Sequence, residues 1–161
     1  SKLRRLMGAE VLVGEPSGYV LDIDPESVDV HRFERLIDAG TEALQGGEVR
    51  SAAARLREAL DLWRGEPLTE LADGDFRLGQ SVRLAELRLL ATERRIEAAL
   101  AMGDHSDTVA ELRPLVAEHP FRESLWGHLM LALYRSGRQA EALRTYQQLR
   151  QLLGDELGIE P

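Results

Sequence analysis

At 161 residues the chain has room for one ordinary domain and a fragment of a second. Its 43% hydrophobic and 30% charged residues exclude a disordered segment, and the lack of cysteine excludes disulfides and thiolate metal sites. A net charge of −8 argues against strong nucleic-acid binding by the chain as a whole, and no apolar run approaches the ~20 residues needed to cross a bilayer. A reducing, cytoplasmic setting without a membrane partner fits this composition.

The charge is unevenly spread. Lys2, Arg4 and Arg5 stand against Glu10 and Glu15, so residues 1–21 carry +1 and the remainder carries −9. Any nucleic-acid surface is therefore expected at the front. There, Leu3, Leu6 and Met7 recur at helical spacing between the basic residues, and Gly8 is a natural helix stop. The chain reads as beginning inside a helix. Two short β-prone runs follow, Val11 to Val13 and Tyr19 to Ile23, joined by a Gly/Pro/Ser loop, which predicts a hairpin.

From Asp29 onward the pattern is helical. Asp29 is a candidate cap for a helix carrying Phe33, Leu36, Ile37 and Leu44, broken at Gly46 and Gly47. A second helix reaches about Trp63, with Ala52, Leu56, Ala59 and Leu60 on one face. Trp63 is expected in the core, its indole N–H capping a carbonyl. Gly65, Pro67, Asp73 and Gly74 mark a long connection. A long helix then ends at Gly103, another spans about Asp107 to His119 before Pro120, and a final pair covers Glu123 to Tyr134 and Gln139 to Leu153.

Gly103 and Gly137 lie 34 residues apart, the tetratricopeptide period. Leu112 with Tyr146, Leu115 with Leu149 and Pro120 with Gly154 keep the same step. Gly47, Ala52, Leu56 and Ala59 form an earlier copy, 56 residues upstream of Gly103, which requires an insertion between the first two units. The expected fold is mainly α: a tetratricopeptide-like stack of antiparallel helical hairpins, about six to seven helices, preceded by a helix end and a β-hairpin. In such a stack the first helices of successive pairs line a concave surface. Those positions give Glu93 and Glu97 from one pair and Tyr134 and Arg135 from the next, a candidate groove for protein recognition. Leu100 and Leu131 share these positions and would serve equally as core.

No enzyme is indicated. His31, His105, His119 and His128 are not spaced as metal ligands. Glu93 and Glu97 sit one helical turn apart, but Arg94 and Arg95 between them suit a solvated face better than an acid–base pair. No Gly-rich phosphate loop or nucleophile elbow is present, and no cofactor or metal is expected.

The front segment, a Leu-Arg-Arg-Leu-Met-Gly helix followed by a hairpin containing Pro-Ser-Gly-Tyr, resembles the end of a winged-helix domain of the OmpR type. On chemistry alone, a solvated basic helix beside an unrelated hairpin remains an alternative. The order of parts resembles the Streptomyces antibiotic regulatory protein (SARP) family, whose activators join a winged helix to a bacterial transcriptional activation domain. The residues that carry the likeness are LRRLMG (3–8), PSGYVLDI (16–23), Asp29 with Phe33, ALDLWRGEPL (59–68), AEHPFRE (117–123), LMLALYRSGRQAEALRTY (129–146) and LGIEP (157–161). They span nearly the whole chain. The first part of the winged helix, and the helix that in the family follows LGIEP, are missing from it.

The resemblance implies two domains, residues 1–23 as the end of the winged helix and 24–161 as the activation domain. It also implies DNA contacts from Lys2, Arg4 and Arg5 of the recognition helix and from Ser17 and Gly18 of the wing. The implied function is activation of secondary-metabolite (antibiotic) biosynthesis genes. Promoter DNA and RNA polymerase are the implied partners, with a homodimer on DNA. The alternative, from the residues alone, is a stand-alone helical-repeat scaffold for protein interaction.

Overall fold

A computed structural model describes residues 11–16, 18–24, 27–65, 67 and 75–158. The expected front helix lies outside them. Strands β1 (Leu12–Glu15) and β2 (Gly18–Leu21) pair antiparallel, with Leu12 opposite Leu21 and Glu15 opposite Gly18. The Asp22 N–H donates to the Val11 carbonyl at 2.8 Å and extends the ladder by one bond. The two strands are thus shifted slightly from the expected runs.

Six α-helices follow among the described residues: α1 (Asp29–Gln45), α2 (Val49–Asp61), α3 (Asp75–Met102), α4 (His105–Glu118), α5 (Glu123–Arg135) and α6 (Gln139–Leu157). The helix start expected at Asp29 moves by one residue. Val28 occupies the extended cap position and Asp29 is the first helical residue, its carboxylate accepting the Val30 N–H at 2.8 Å. A carboxylate in a first turn still favours the helix through the exposed N–H groups there. Helix α6 runs four residues beyond the expected Leu153. Gly154 is tolerated inside it, and the helix ends only at Gly158, which is left-handed at φ +69°.

The repeat is written in the turns. Gly47, Gly103 and Gly137 have φ of +77°, +96° and +75°. Each is followed by a residue whose N–H reaches back five positions: Glu48 to the Ala43 carbonyl at 2.8 Å, Asp104 to Ala99 at 3.0 Å, Arg138 to Leu133 at 2.9 Å. Each glycine N–H donates to Leu44, Leu100 or Tyr134 in turn. These are three copies of one Schellman turn, which needs a left-handed residue and so a glycine. The copy at Gly47 therefore belongs to the repeat despite its wider spacing.

Apolar side chains gather into two cores. The first holds Phe33 and Ile37 of α1, Ala52, Leu56 and Ala59 of α2, and Ala91 of α3. Trp63 packs against it, edge-on to Phe33 with centroids 5.5 Å apart and with the Arg88 guanidinium 4.8 Å above its ring. The second holds Leu89, Ile96 and Leu100 of α3 with Val109, Leu112, Leu125, Leu129 and Leu133 from α4 and α5. Helix α3 belongs to both. Leu87 and Ala91 lie on one side of it, and Leu89, Ile96 and Leu100 on the opposite side. Trp63 is packed as expected, but the indole that caps a carbonyl is that of Trp126, whose Nε1–H donates to Pro120 O at 2.9 Å.

Candidate interaction surfaces

The first helices of the second and third hairpins, α3 and α5, meet along a polar seam. Glu93 is 7% exposed, and it is the one buried carboxylate or cation among the described residues. Its Oε1 accepts from Arg122 Nε and from Ser124 Oγ, both at 2.8 Å. Arg122 also reaches Glu86 Oε2 with Nη1 at 3.1 Å. The hydrogen bond to Glu93, with the charges of Glu93 and Glu86, holds the Arg122 guanidinium above its ordinary value against the pull of burial. One turn along α5, His128 is half-buried beside Glu97, Glu93 and Arg94. Burial lowers its imidazolium below the ordinary value, more than the two carboxylates raise it. At the far end of the seam Arg135 Nη1 donates to the Leu100 carbonyl at 3.3 Å. Glu97 pairs with Arg94 at 2.9 Å.

The four residues read as one groove are thus separated by the structure. Glu93 is taken up inside the seam and Leu100 is core, while Glu97 is paired on α3. Tyr134 is 61% exposed and lies elsewhere, in an apolar groove between α5 and α6 with Met130, Leu131, Ala142, Leu143 and Tyr146. One repeat earlier, the equivalents of Met130, Tyr134, Leu143 and Tyr146 are Ile96, Leu100, Val109 and Leu112, which are all buried beneath α5. The same groove is therefore closed by a helix in the second unit and open in the third, where Leu143 is 67% exposed. Sequence reasoning named Tyr134 but missed Leu143 and Tyr146 as its neighbours. The 34-residue step pointed to both, since it aligns them with core positions.

Of the residues implied for DNA contact, Lys2, Arg4, Arg5 and Ser17 lie outside the described residues. Gly18 opens β2, exposed, with φ +153°. Tyr19 and Val20 beside it are also exposed. Among the described residues no group of three or more His, Asp or Glu is placed to hold a metal, and no helix is long and apolar enough to cross a membrane.

Residues 28–161 match the family described as "Bacterial transcriptional activator domain". The chain belongs to that family. It also falls with the Streptomyces antibiotic regulatory proteins. The regulatory protein DnrI of Streptomyces peucetius is 48% identical over 145 residues, which are 89% of this chain and 53% of that protein. The regulatory protein AfsR of Streptomyces coelicolor is 46% identical over 162 aligned residues, covering 100% of this chain and 16% of AfsR. Among solved structures, Mycobacterium tuberculosis EmbR in complex with a low affinity phosphopeptide superposes with a TM-score of 0.90 at 39% identity, covering 99% of this chain and 44% of EmbR. The chain thus spans about half of DnrI and a smaller part of AfsR and EmbR.

Proposed function

We propose that the chain is part of a DNA-binding transcriptional activator of secondary-metabolite (antibiotic) biosynthesis genes. Residues 1–23 are the end of its winged-helix DNA-binding domain, and residues 24–161 its regulatory, tetratricopeptide-like domain. The observation that carries this reading is the family match over residues 28–161, together with whole-chain similarity to regulatory proteins. It favours an activator over a stand-alone scaffold, and a regulator over an enzyme. The concentration of Lys2, Arg4 and Arg5 at the front of an otherwise acidic chain fits a phosphate- and base-contacting helix. Ser17 and Gly18 belong to the wing in this reading. The intact protein works in the cytoplasm as a homodimer on promoter DNA and contacts RNA polymerase.

The open α5–α6 groove is the protein-recognition face of the domain, with Tyr134 its most exposed aromatic residue. It receives a helix of the same activator or of the transcription machinery, as its counterpart one repeat earlier receives α5. Arg135 adds little to that face, since it already donates to the Leu100 carbonyl.

Gel-shift titrations test the DNA half of the proposal. Residues 1–161 alone should bind promoter DNA poorly. In the intact protein Arg4→Ala and Arg5→Ala should each weaken binding, and loss of a phosphate contact should lower the salt slope by roughly one. Unchanged affinity and unchanged slope in both variants would remove these residues from the interface.

A further inference from the structure

Apolar packing holds the stack, and Leu89, Ile96 and Leu100 of α3 share one core with Leu125, Leu129 and Leu133 of α5, yet beside that core the α3–α5 seam also carries Glu86, Glu93, Arg122, Ser124 and His128. Burying the Glu93 carboxylate there is costly, and leucine at that position would pack without the desolvation cost. Apolar contact is non-directional, however, so a purely apolar seam between two helices tolerates sliding and rotation. A carboxylate oxygen that takes two directed hydrogen bonds does not. Arg122 is the residue just before α5 and Ser124 lies in its first turn, so both donors sit at one end of that helix. Arg135, in its last turn, is tied to the Leu100 carbonyl. Helix α5 is therefore pinned to α3 at both ends.

We propose that Glu93 is a positioning residue that sets the register and angle of the last helical hairpin on the rest of the stack, and so fixes where the open α5–α6 groove stands relative to the front of the chain. Its role is in geometry, not in net stability. A buried polar group that selects one arrangement among several of similar energy behaves in this way. The inference stands on the seam alone and does not depend on what the groove binds.

The chain has no cysteine, so spin labels can be placed cleanly at Ala54→Cys on α2 and Gln147→Cys on α6, both exposed. Pulsed electron-paramagnetic-resonance distances between them are then compared in the parent and in the Glu93→Leu, Arg122→Met pair. The expected result is a melting temperature no lower than the parent's, with a shifted or broadened distance distribution. A distribution with the parent's centre and width would overturn the proposal. So would a narrow parent-like distribution accompanied by a lower melting temperature, which would make Glu93 a stabilising group only. Should the apolar pair fail to fold, Arg122→Gln carries the same test at a half-exposed position. Broadening there supports the assignment, and an unchanged distribution contradicts it.

Discussion

Gly40 lies inside α1 and faces Leu56 of α2, which is fully buried. A Cβ added at Gly40 would stand 2.6 Å from Leu56 Cγ and 3.0 Å from its Cδ2. The nearest atom is the branch point of a buried side chain, not a flexible tip, so the clash is relieved only by moving α1 away from α2. Two effects of opposite sign compete in Gly40→Ala. Helix propensity favours alanine by about 0.8–1 kcal/mol. Overpacking of this kind costs about 1–3 kcal/mol. The net expectation is a loss of up to about 2 kcal/mol, with the melting point lowered by about 2–4 °C per kcal/mol for a chain of this size. Gly127→Ala is the control, since Gly127 is an exposed position of α5 where a Cβ would meet nothing within 4 Å, and it should gain up to about 1 kcal/mol. Urea titrations of both variants, and of Gly40→Ala with Leu56→Val, give the measurement. The double variant should recover part of the loss, because the two sites are in contact and do not add. If Gly40→Ala proved as stabilising as Gly127→Ala, the close approach of α1 and α2 would be refuted.

Two further outcomes are expected. Gly137→Val should cost about 1–3 kcal/mol from backbone strain alone, because φ is +75° and open space surrounds the position; thermal melts that match the parent would contradict the Schellman assignment. Burial holds His128 below its ordinary value of 6.5, so the folded state binds fewer protons than the unfolded chain near that pH. The contribution is complete above that value and is lost as pH falls, so the melting temperature should drop on acidification, and drop less in His128→Gln; equal drops would place the pH sensitivity elsewhere.

Periodicity and glycine spacing were enough to read the helices, because the turns that separate the hairpins require a left-handed residue and Gly47, Gly103 and Gly137 supply it. The helix ends were less legible. The last helix read as ending at Leu153, yet Gly154 has open space around it and is carried within α6, which ends at Leu157 before Gly158. Glu93 was placed correctly on its helix but not in its environment. Its partners Arg122 and Ser124 are 29 and 31 residues away, and helical spacing carries no information about what the next hairpin brings across the seam. The same limit hid which tryptophan uses its indole N–H. Trp126 finds Pro120 O only because the chain turns back between α4 and α5.

Transcription from a responsive promoter by the intact protein tests the account most directly, with DNA binding measured in parallel. Tyr134→Ala combined with Leu143→Glu alters two side chains that are 61% and 67% exposed, so the fold should survive. The account predicts that activation is lost while promoter binding and melting temperature stay near the parent's, whereas Arg4→Ala with Arg5→Ala loses both binding and activation. Full activation by the Tyr134→Ala, Leu143→Glu protein would contradict the claim that the helical domain works through its open groove.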